Sequence, residues 1–373
     1  MTGGLRLFGL AKAKVRVEAS NAASAERLSI ILPVLNEAER IDSCLSSLTA
    51  QPDELLEILV VDGGSSDGTQ SIIERSRSRD PRVRLLDASP IDQRWTGKVW
   101  GLQIGLQNSS PQSGWILCVD ADVTVAPNLV RSLLAHAQRT NITTFSIATS
   151  QNLSGKIEAL LHPAMLTTLI YRFGSPGKAS ANRHRVQANG QCFIARRETL
   201  LRCDAFRAAR TSLCEDITIV RRLADCGEPI GFYESDGLIE VRMYKDWRET
   251  WINWPRSLPM RDQYFGWRDV AGLIGALIFQ ALPLPAFALG VIFRAPLEFF
   301  LVAGLLLTMR IGVLFGLARA YPSKPWSYWL SPLVDLAVVL RILQFAVRKR
   351  HVWRGRVYLR RKGGSFEPVA QSH

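Results

Sequence analysis

Trp115-Ile116-Leu117-Cys118-Val119 runs directly into Asp120-Ala121-Asp122. Five apolar residues in succession suit a strand buried on both faces of a parallel sheet. The two carboxylates then leave the sheet at the strand's carboxyl end, where open α/β sheets bind ligands. Carboxylates one residue apart repel each other unless a proton or a cation sits between them. Hard oxygen ligands of this kind suit Mg²⁺ or Mn²⁺ bridging to a diphosphate. Alone, the tripeptide reads equally well as a turn with two solvated acids. The flanking segments decide between the two.

Upstream, Leu28-Ser29-Ile30-Ile31-Leu32-Pro33 predicts a first buried strand. Asn36 reads as the N-cap of a helix carrying Ile41, Leu45 and Leu48. Residues Glu57–Asp62 predict a second strand ending in an acid, and Gly63–Gly68 a loop before a helix with Ile72 and Ile73. A short strand over Val83–Leu86 and a helix over Lys98–Leu106 follow. Pro127 suits the start of a helix with Leu129, Leu133 and Leu134. Strand and helix alternate through short loops, the signature of a mainly parallel sheet covered on both faces. Downstream the pattern predicts a strand over Thr143–Thr149, a helix over Leu153–Phe173 and a polar mobile loop over Ser175–Asn189. A strand over Gln191–Ala195 and a helix over Asp216–Cys226 follow.

The 373 residues suffice for about two domains. Apolar residues make up 47% of them and are unevenly placed, because long apolar stretches begin near Asp269. Val270–Phe293 and Phe299–Ala318 are long enough to span a bilayer. Pro283 and Pro285 interrupt the first, which predicts a kink or a re-entrant segment. Arg310 interrupts the second and is expected to face protein. Asp335 and Arg341 make Tyr328–Val347 a poor free span, so an interfacial position is expected for it. Two crossings follow. The divisions are an arm over 1–27, a soluble domain over 28–265, membrane-associated helices over 266–347 and a basic tail over 348–373.

The net charge is +13, and from Arg341 onward nine Lys/Arg stand against one Glu. Beside apolar stretches, that charge points to an anionic membrane surface, and no nucleic acid is expected as a partner. By the positive-inside rule the tail stays cytoplasmic. Leu5, Leu7, Phe8 and Leu10 lie among basic residues and offer a membrane contact or a frayed start. The six cysteines form no C-x-x-C pair, which fits small buried thiols in a reducing compartment.

Several residues carry chemistry in more than one reading. Asp62 can accept hydrogen bonds from a base or ribose, or simply end a strand. The glycine loop after it fits neither G-x-G-x-x-G nor a P-loop. Lys98 at a helix start suits a phosphate, or solvent. Glu215 and Asp216 suit a helix dipole, and Asp216 also suits a general base. Trp247, Trp251 and Trp254 share a helix face, as core, as an interfacial belt or as a platform for a sugar or an apolar acceptor.

Taken in order, five pieces resemble the inverting family 2 glycosyltransferases of the GT-A fold. They are Ile30-Ile31-Leu32-Pro33-Val34-Leu35-Asn36-Glu37, Val60-Val61-Asp62-Gly63-Gly64-Ser65-Ser66-Asp67-Gly68-Thr69, Gly97-Lys98, Asp120-Ala121-Asp122 and Glu215-Asp216. The resemblance covers about residues 28–245. It implies a nucleotide-diphospho-sugar transferase domain with a mixed, mainly parallel sheet, followed here by C-terminal membrane helices. It implies that Pro33, Glu37 and Asp62 line the nucleotide pocket and that Asp120 touches the nucleotide sugar. Lys98 and Glu215 belong to the same donor site. Asp122 would hold Mg²⁺ or Mn²⁺, and Asp216 would be the base for the acceptor hydroxyl.

The Q-x-x-R-W of processive members is absent, since the corresponding stretch reads Trp251-Ile252-Asn253-Trp254-Pro255-Arg256-Ser257. That argues against polymer synthesis. Residues 95–100, 254–262 and 353–358 look like a narrower group acting on bacterial isoprenoid lipids, carotenoid glycosyltransferases above all and hopanoid-associated ones next. The expected function is transfer of a sugar from a nucleotide-sugar donor to a membrane lipid, a hydroxylated carotenoid first. The expected location is the cell membrane, multi-pass, with the catalytic domain facing the cytoplasm. Hopanoid, ceramide-like, glycerol and polyprenyl-phosphate acceptors are the alternatives. A non-catalytic membrane-anchored sugar-nucleotide sensor is the alternative of another class.

Overall fold

Alternate residues of the central strands enter two different cores, which is why those strands read as unbroken apolar runs. The structure is a computed structural model and describes residues 15–353, 356–361 and 363–369. The membrane contact expected of Leu5, Leu7, Phe8 and Leu10 therefore lies outside the described residues.

The main sheet contains β1 (Arg16–Val17), β2 (Leu28–Val34), β3 (Leu55–Asp62), β4 (Val83–Asp87) and β5 (Trp115–Val119). After β6 (Val123–Val125), it continues with β7 (Thr144–Ala148). Beyond β8 (Ser150–Gln151) come β9 (Lys178–Ser180), β10 (Cys192–Arg196) and β11 (Ile230–Ser235). Its order is β1-β11-β7-β10-β5-β2-β3-β4, with β9 also on β11. The short β12 (Ile239–Val241) joins β6 and β8 in a second sheet.

Ile30, Leu32, Leu117 and Val119 enter one core with α1 (Ile41–Thr49), α2 (Thr69–Arg77) and a helix over Leu129–Thr140. Ile31, Ile116 and Cys118 enter the other, with helices over Gly97–Asn108 and Glu215–Asp225. Gly101 and Gly105 lie where the Gly97–Asn108 helix presses on β2. A Cβ at Gly101 would stand 2.9 Å from that of Pro33, and one at Gly105 would collide with Ile31. This close approach sets Lys98 beside the strand ends.

Two strands run against the rest, the short β9 on β11 and, within the sheet, β10. β10 is antiparallel to both β5 and β7, pairing Cys192 with Val119 and Arg196 with Trp115. Its entry, residues 189–191, therefore lies beside the exit of β5, where Asp120 and Asp122 sit.

Three sequence expectations need correction. Asn36 is not a helix N-cap: the helix begins at Ile41, and Asn36 has φ 55°. Its Oδ1 instead accepts from the Ser66 N–H at 2.9 Å. The Ser175–Asn189 loop contains β9, held on β11. The first apolar stretch bends at its prolines as predicted, Trp267–Ala281 and Pro283–Ile292 meeting at 46°. The third, Trp326–Val347, is a 22-residue apolar segment long enough to cross a membrane, as is Leu297–Ala320.

Of the two charges that weakened the third segment, Asp335 is neutralised by Arg310 of the second. Arg310 Nε donates to Asp335 at 2.6 Å and its second nitrogen at 3.0 Å, both side chains being buried. Gln280 donates to Asp335 at 2.8 Å, and Arg310 to Ser331 at 3.1 Å. This network ties all three apolar segments together. Asp335→Ala leaves Arg310 buried without its carboxylate, a loss of about 3–5 kcal/mol for broken buried pairs. A large fall in the melting temperature of the detergent-solubilised protein is expected, with substantial recovery in the Arg310→Met/Asp335→Ala double variant. A melting temperature unchanged by Asp335→Ala would refute this.

The basic tail is folded. Residues 350–353, 356–360 and 366–368 form a three-stranded antiparallel sheet. Tyr358 and Phe366 pack on Leu213, and the Phe366 N–H donates to Thr211 O at 2.9 Å.

Candidate active site

A cleft of about 490 Å³ opens at the carboxyl ends of β2, β3 and β5. Pro33, Glu37, Lys98, Asp120, Asp122, Glu215 and Asp216 all line it. Asp62 is not among the lining residues, although its neighbours Val61 and Gly63 are. Its buried carboxylate accepts from the Ser65 N–H, the Ser65 hydroxyl at 2.5 Å and Gln70 Nε2 at 2.5 Å. Asp62 thereby shapes the 63–68 loop, in which Gly64 and Gly68 take φ of 92° and 95°. That loop is stitched to the β2 exit: the Glu37 N–H donates to Thr69 Oγ1 and the Ala38 N–H to Asp67.

Lys98 is a clamp between carboxylates. Its ammonium lies 2.7 Å from Asp120 Oδ1 and 2.7 Å from Glu215 Oε1. Burial works against its charge, but Asp120 and Glu215 outweigh burial and hold the pKa well above the ordinary lysine value. The pair joins the β5 exit to the first turn of the Glu215–Asp225 helix. In that turn Asp216 accepts from the Ile217 N–H at 2.8 Å and the Gly190 N–H at 3.3 Å. Burial, then Glu215, pushes its carboxyl up to about 7, partly opposed by Lys98.

Asp122 is also raised to about 7, by burial and then by Asp120, with Arg40 and Lys98 acting in the opposite direction. Its Oδ1 is buried and accepts no hydrogen bond among the described residues. A bare buried carboxylate oxygen beside a second acid fits a hard divalent cation. No cluster of three His, Cys, Asp or Glu side chains among the described residues is placed to hold an ion. The fit is therefore that of Mg²⁺ or Mn²⁺, which bind through one or two carboxylates, with phosphate oxygens and water completing the shell.

Several further residues line the cleft. Arg40 donates to Met243 O at 3.3 Å and borders the cleft. Gly190 stands against the acids: a Cβ there would lie 3.2 Å from Lys98 Nζ and 3.5 Å from the Asp216 Cβ. Trp353, Arg356 and Tyr358 bring the C-terminal sheet into the wall. The alternation Arg356-Val357-Tyr358-Leu359-Arg360 was the available strand signal for them. Trp254, the last of the spaced tryptophans, is buried against His162 with ring centroids 4.1 Å apart.

Comparison with known proteins agrees with this geometry. Residues 29–205 match the family model described as Glycosyl transferase family 2. The glycosyltransferase AglE of Haloferax volcanii is 36% identical over 85 residues, 22% of this chain and 27% of AglE. The succinoglycan biosynthesis protein ExoA of Rhizobium meliloti is 24% identical over 246 residues, 64% of this chain and 67% of ExoA. The AglE match thus spans about a quarter of that relative's length, and the ExoA match about two thirds. A mannosyltransferase from Pyrobaculum calidifontis, solved in complex with GDP-Man and Mn²⁺, superposes with a TM-score of 0.52. It is 18% identical, covering 90% of this chain and 93% of its own. Residues 29–205, just under half of the chain, thus match the glycosyl transferase family 2 model, and the mixed, mainly parallel sheet is that of the GT-A fold.

Proposed function

We propose that the protein is a membrane-bound, metal-dependent, inverting glycosyltransferase that moves a sugar from a nucleotide-sugar donor to a hydroxyl of a membrane lipid. A hydroxylated carotenoid is the first acceptor to test. The observation that carries this reading is one cleft holding both Asp122, with its bare buried oxygen, and Asp216, raised to about 7.

In this reading Asp216 takes the proton of the acceptor hydroxyl. The oxygen attacks the anomeric carbon as the bond to the diphosphate oxygen breaks, in a single displacement that inverts the centre. No second carboxylate nucleophile is needed. Asp122, with Asp120 beside it, would hold the divalent cation, whose charge neutralises the diphosphate leaving group when bound. Lys98 keeps Asp120 and Glu215 at their spacing.

Asp216 must be ionised to act, so with cation saturating kcat/KM is expected to rise about tenfold per pH unit up to roughly pH 7 and then level. A profile flat between pH 5 and 8 would remove Asp216 from that role.

The C-terminal sheet packs on the 211–213 segment of the catalytic domain, which supports an even number of crossings between them. Leu297–Ala320 and Trp326–Val347 supply two, and the bent Trp267–Ile292 pair re-enters. The basic tail favours the cytoplasmic face for both.

The direct test is mass spectrometry of total lipids and pigments with and without the gene. One glycosylated lipid should vanish while its aglycone accumulates. A hopanoid, ceramide-like or glycerol aglycone would reassign the acceptor, and an unchanged lipid profile would overturn the reading.

A further inference from the structure

A second cavity, of about 270 Å³, adjoins the cleft. Asp216, Gln191, Trp254 and Ser257 line both. Away from Asp216 its wall is largely apolar, formed by Leu166 and Leu169 of the Lys156–Phe173 helix with Leu258 and Met260. It is also lined by residues 316, 317, 319 and 320, the end of the apolar Leu297–Ala320 helix. The cavity is thus lined both by Asp216 and by the end of a candidate span.

We propose that this cavity is the acceptor site and that it takes a neutral, long-chain apolar alcohol, its hydroxyl at Asp216 and its chain leading toward the end of the Leu297–Ala320 helix. The assignment rests on the transferase reading above. Three features select that class. The apolar wall takes the chain from lipid without passing it through water. The cavity's lining by the end of the Leu297–Ala320 helix sets it beside a candidate span, from which a bilayer substrate would arrive. The cationic lining residues are Arg16 and Arg319. Arg16 is already paired with Glu234 at 2.6 Å, and Arg319 lies in the short helical turn Ala318–Ala320 at the end of the apolar helix. A phosphate placed at Asp216 would meet a carboxylate, whereas a hydroxyl meets its proton acceptor.

The test uses the full chain in nanodiscs and a hexadecanol carrying a diazirine at its far end. Photolabelling is expected on peptides containing Leu166, Leu169 and Leu317, with unlabelled hexadecanol competing at least tenfold better than hexadecyl phosphate. Gly316→Phe narrows the cavity at the Leu297–Ala320 helix, and a Cβ at Gly316 meets nothing within 4 Å, so the fold should hold. It should cut labelling at least tenfold while calorimetric binding of a UDP- or GDP-sugar with Mn²⁺ stays unchanged. Labelling confined to the outer face at Leu301 and Leu305 would overturn the proposal, as would equal or better competition by hexadecyl phosphate. If the wild-type chain labels in the cavity but binds no nucleotide sugar, the transferase reading fails and the apolar-alcohol site stands.

Discussion

Asp216→Asn is expected to lower sugar transfer by about 10²–10⁴-fold, the usual contribution of a positioned general base. Nucleotide-sugar binding should persist. The substitution keeps the shape of the side chain and the hydrogen bond from the Ile217 N–H, now to the amide oxygen. It removes the proton acceptor and turns an NH₂ toward the Gly190 N–H, whose bond is already long at 3.3 Å. Lys98 still bridges Asp120 and Glu215, so the donor side is undisturbed. Calorimetry with donor and Mn²⁺ beside a turnover assay separates the two effects. Turnover equal to wild type would defeat the base assignment, and loss of donor binding would make Asp216 a donor ligand instead.

Asp122→Ala is expected to abolish metal-dependent donor binding and to reduce turnover about as far, because neutralising a leaving diphosphate is worth several kcal/mol. The variant deletes the buried oxygen that lacks a hydrogen-bond donor, so the apo protein should lose no stability. That combination is diagnostic. A structural carboxylate would show the reverse, lower melting temperature with metal-stimulated binding intact. Calorimetric titration of donor with and without Mn²⁺, and melting curves without metal, distinguish the two.

Much of the site was legible because it lies at strand ends. Pro33, Glu37, Asp120 and Asp122 follow apolar runs, and a strand buried on both faces has a definite exit in the sequence. Asp62 was legible as a strand-end acid but not in its contacts. Whether a carboxylate faces a ligand or its own loop depends on Ser65 and Gln70 folding back on it. Asn36 was misread for a related reason: its side chain serves a loop thirty residues away at Ser66 rather than the next helix. Arg310 read correctly as a residue facing protein, but its partner did not. Asp335 was counted as a charge against its own segment, and only their 2.6 Å contact turns two penalties into one buried pair.

The sequence by itself determined the βα alternation, the positions of Asp120, Asp122 and Asp216, and the apolar character of residues 270–347. Those are local properties: burial on two faces sets a strand's composition, and helix and span lengths are counted along one segment. Tertiary structure alone decided which distant pieces meet. The reversed direction of β10 brings Gly190 against the acids, and the folded tail braces the turn before Asp216. The end of one apolar helix meets a cavity that Asp216 also lines. Such contacts join residues far apart in the chain, and no local pattern encodes a partner that folding alone supplies.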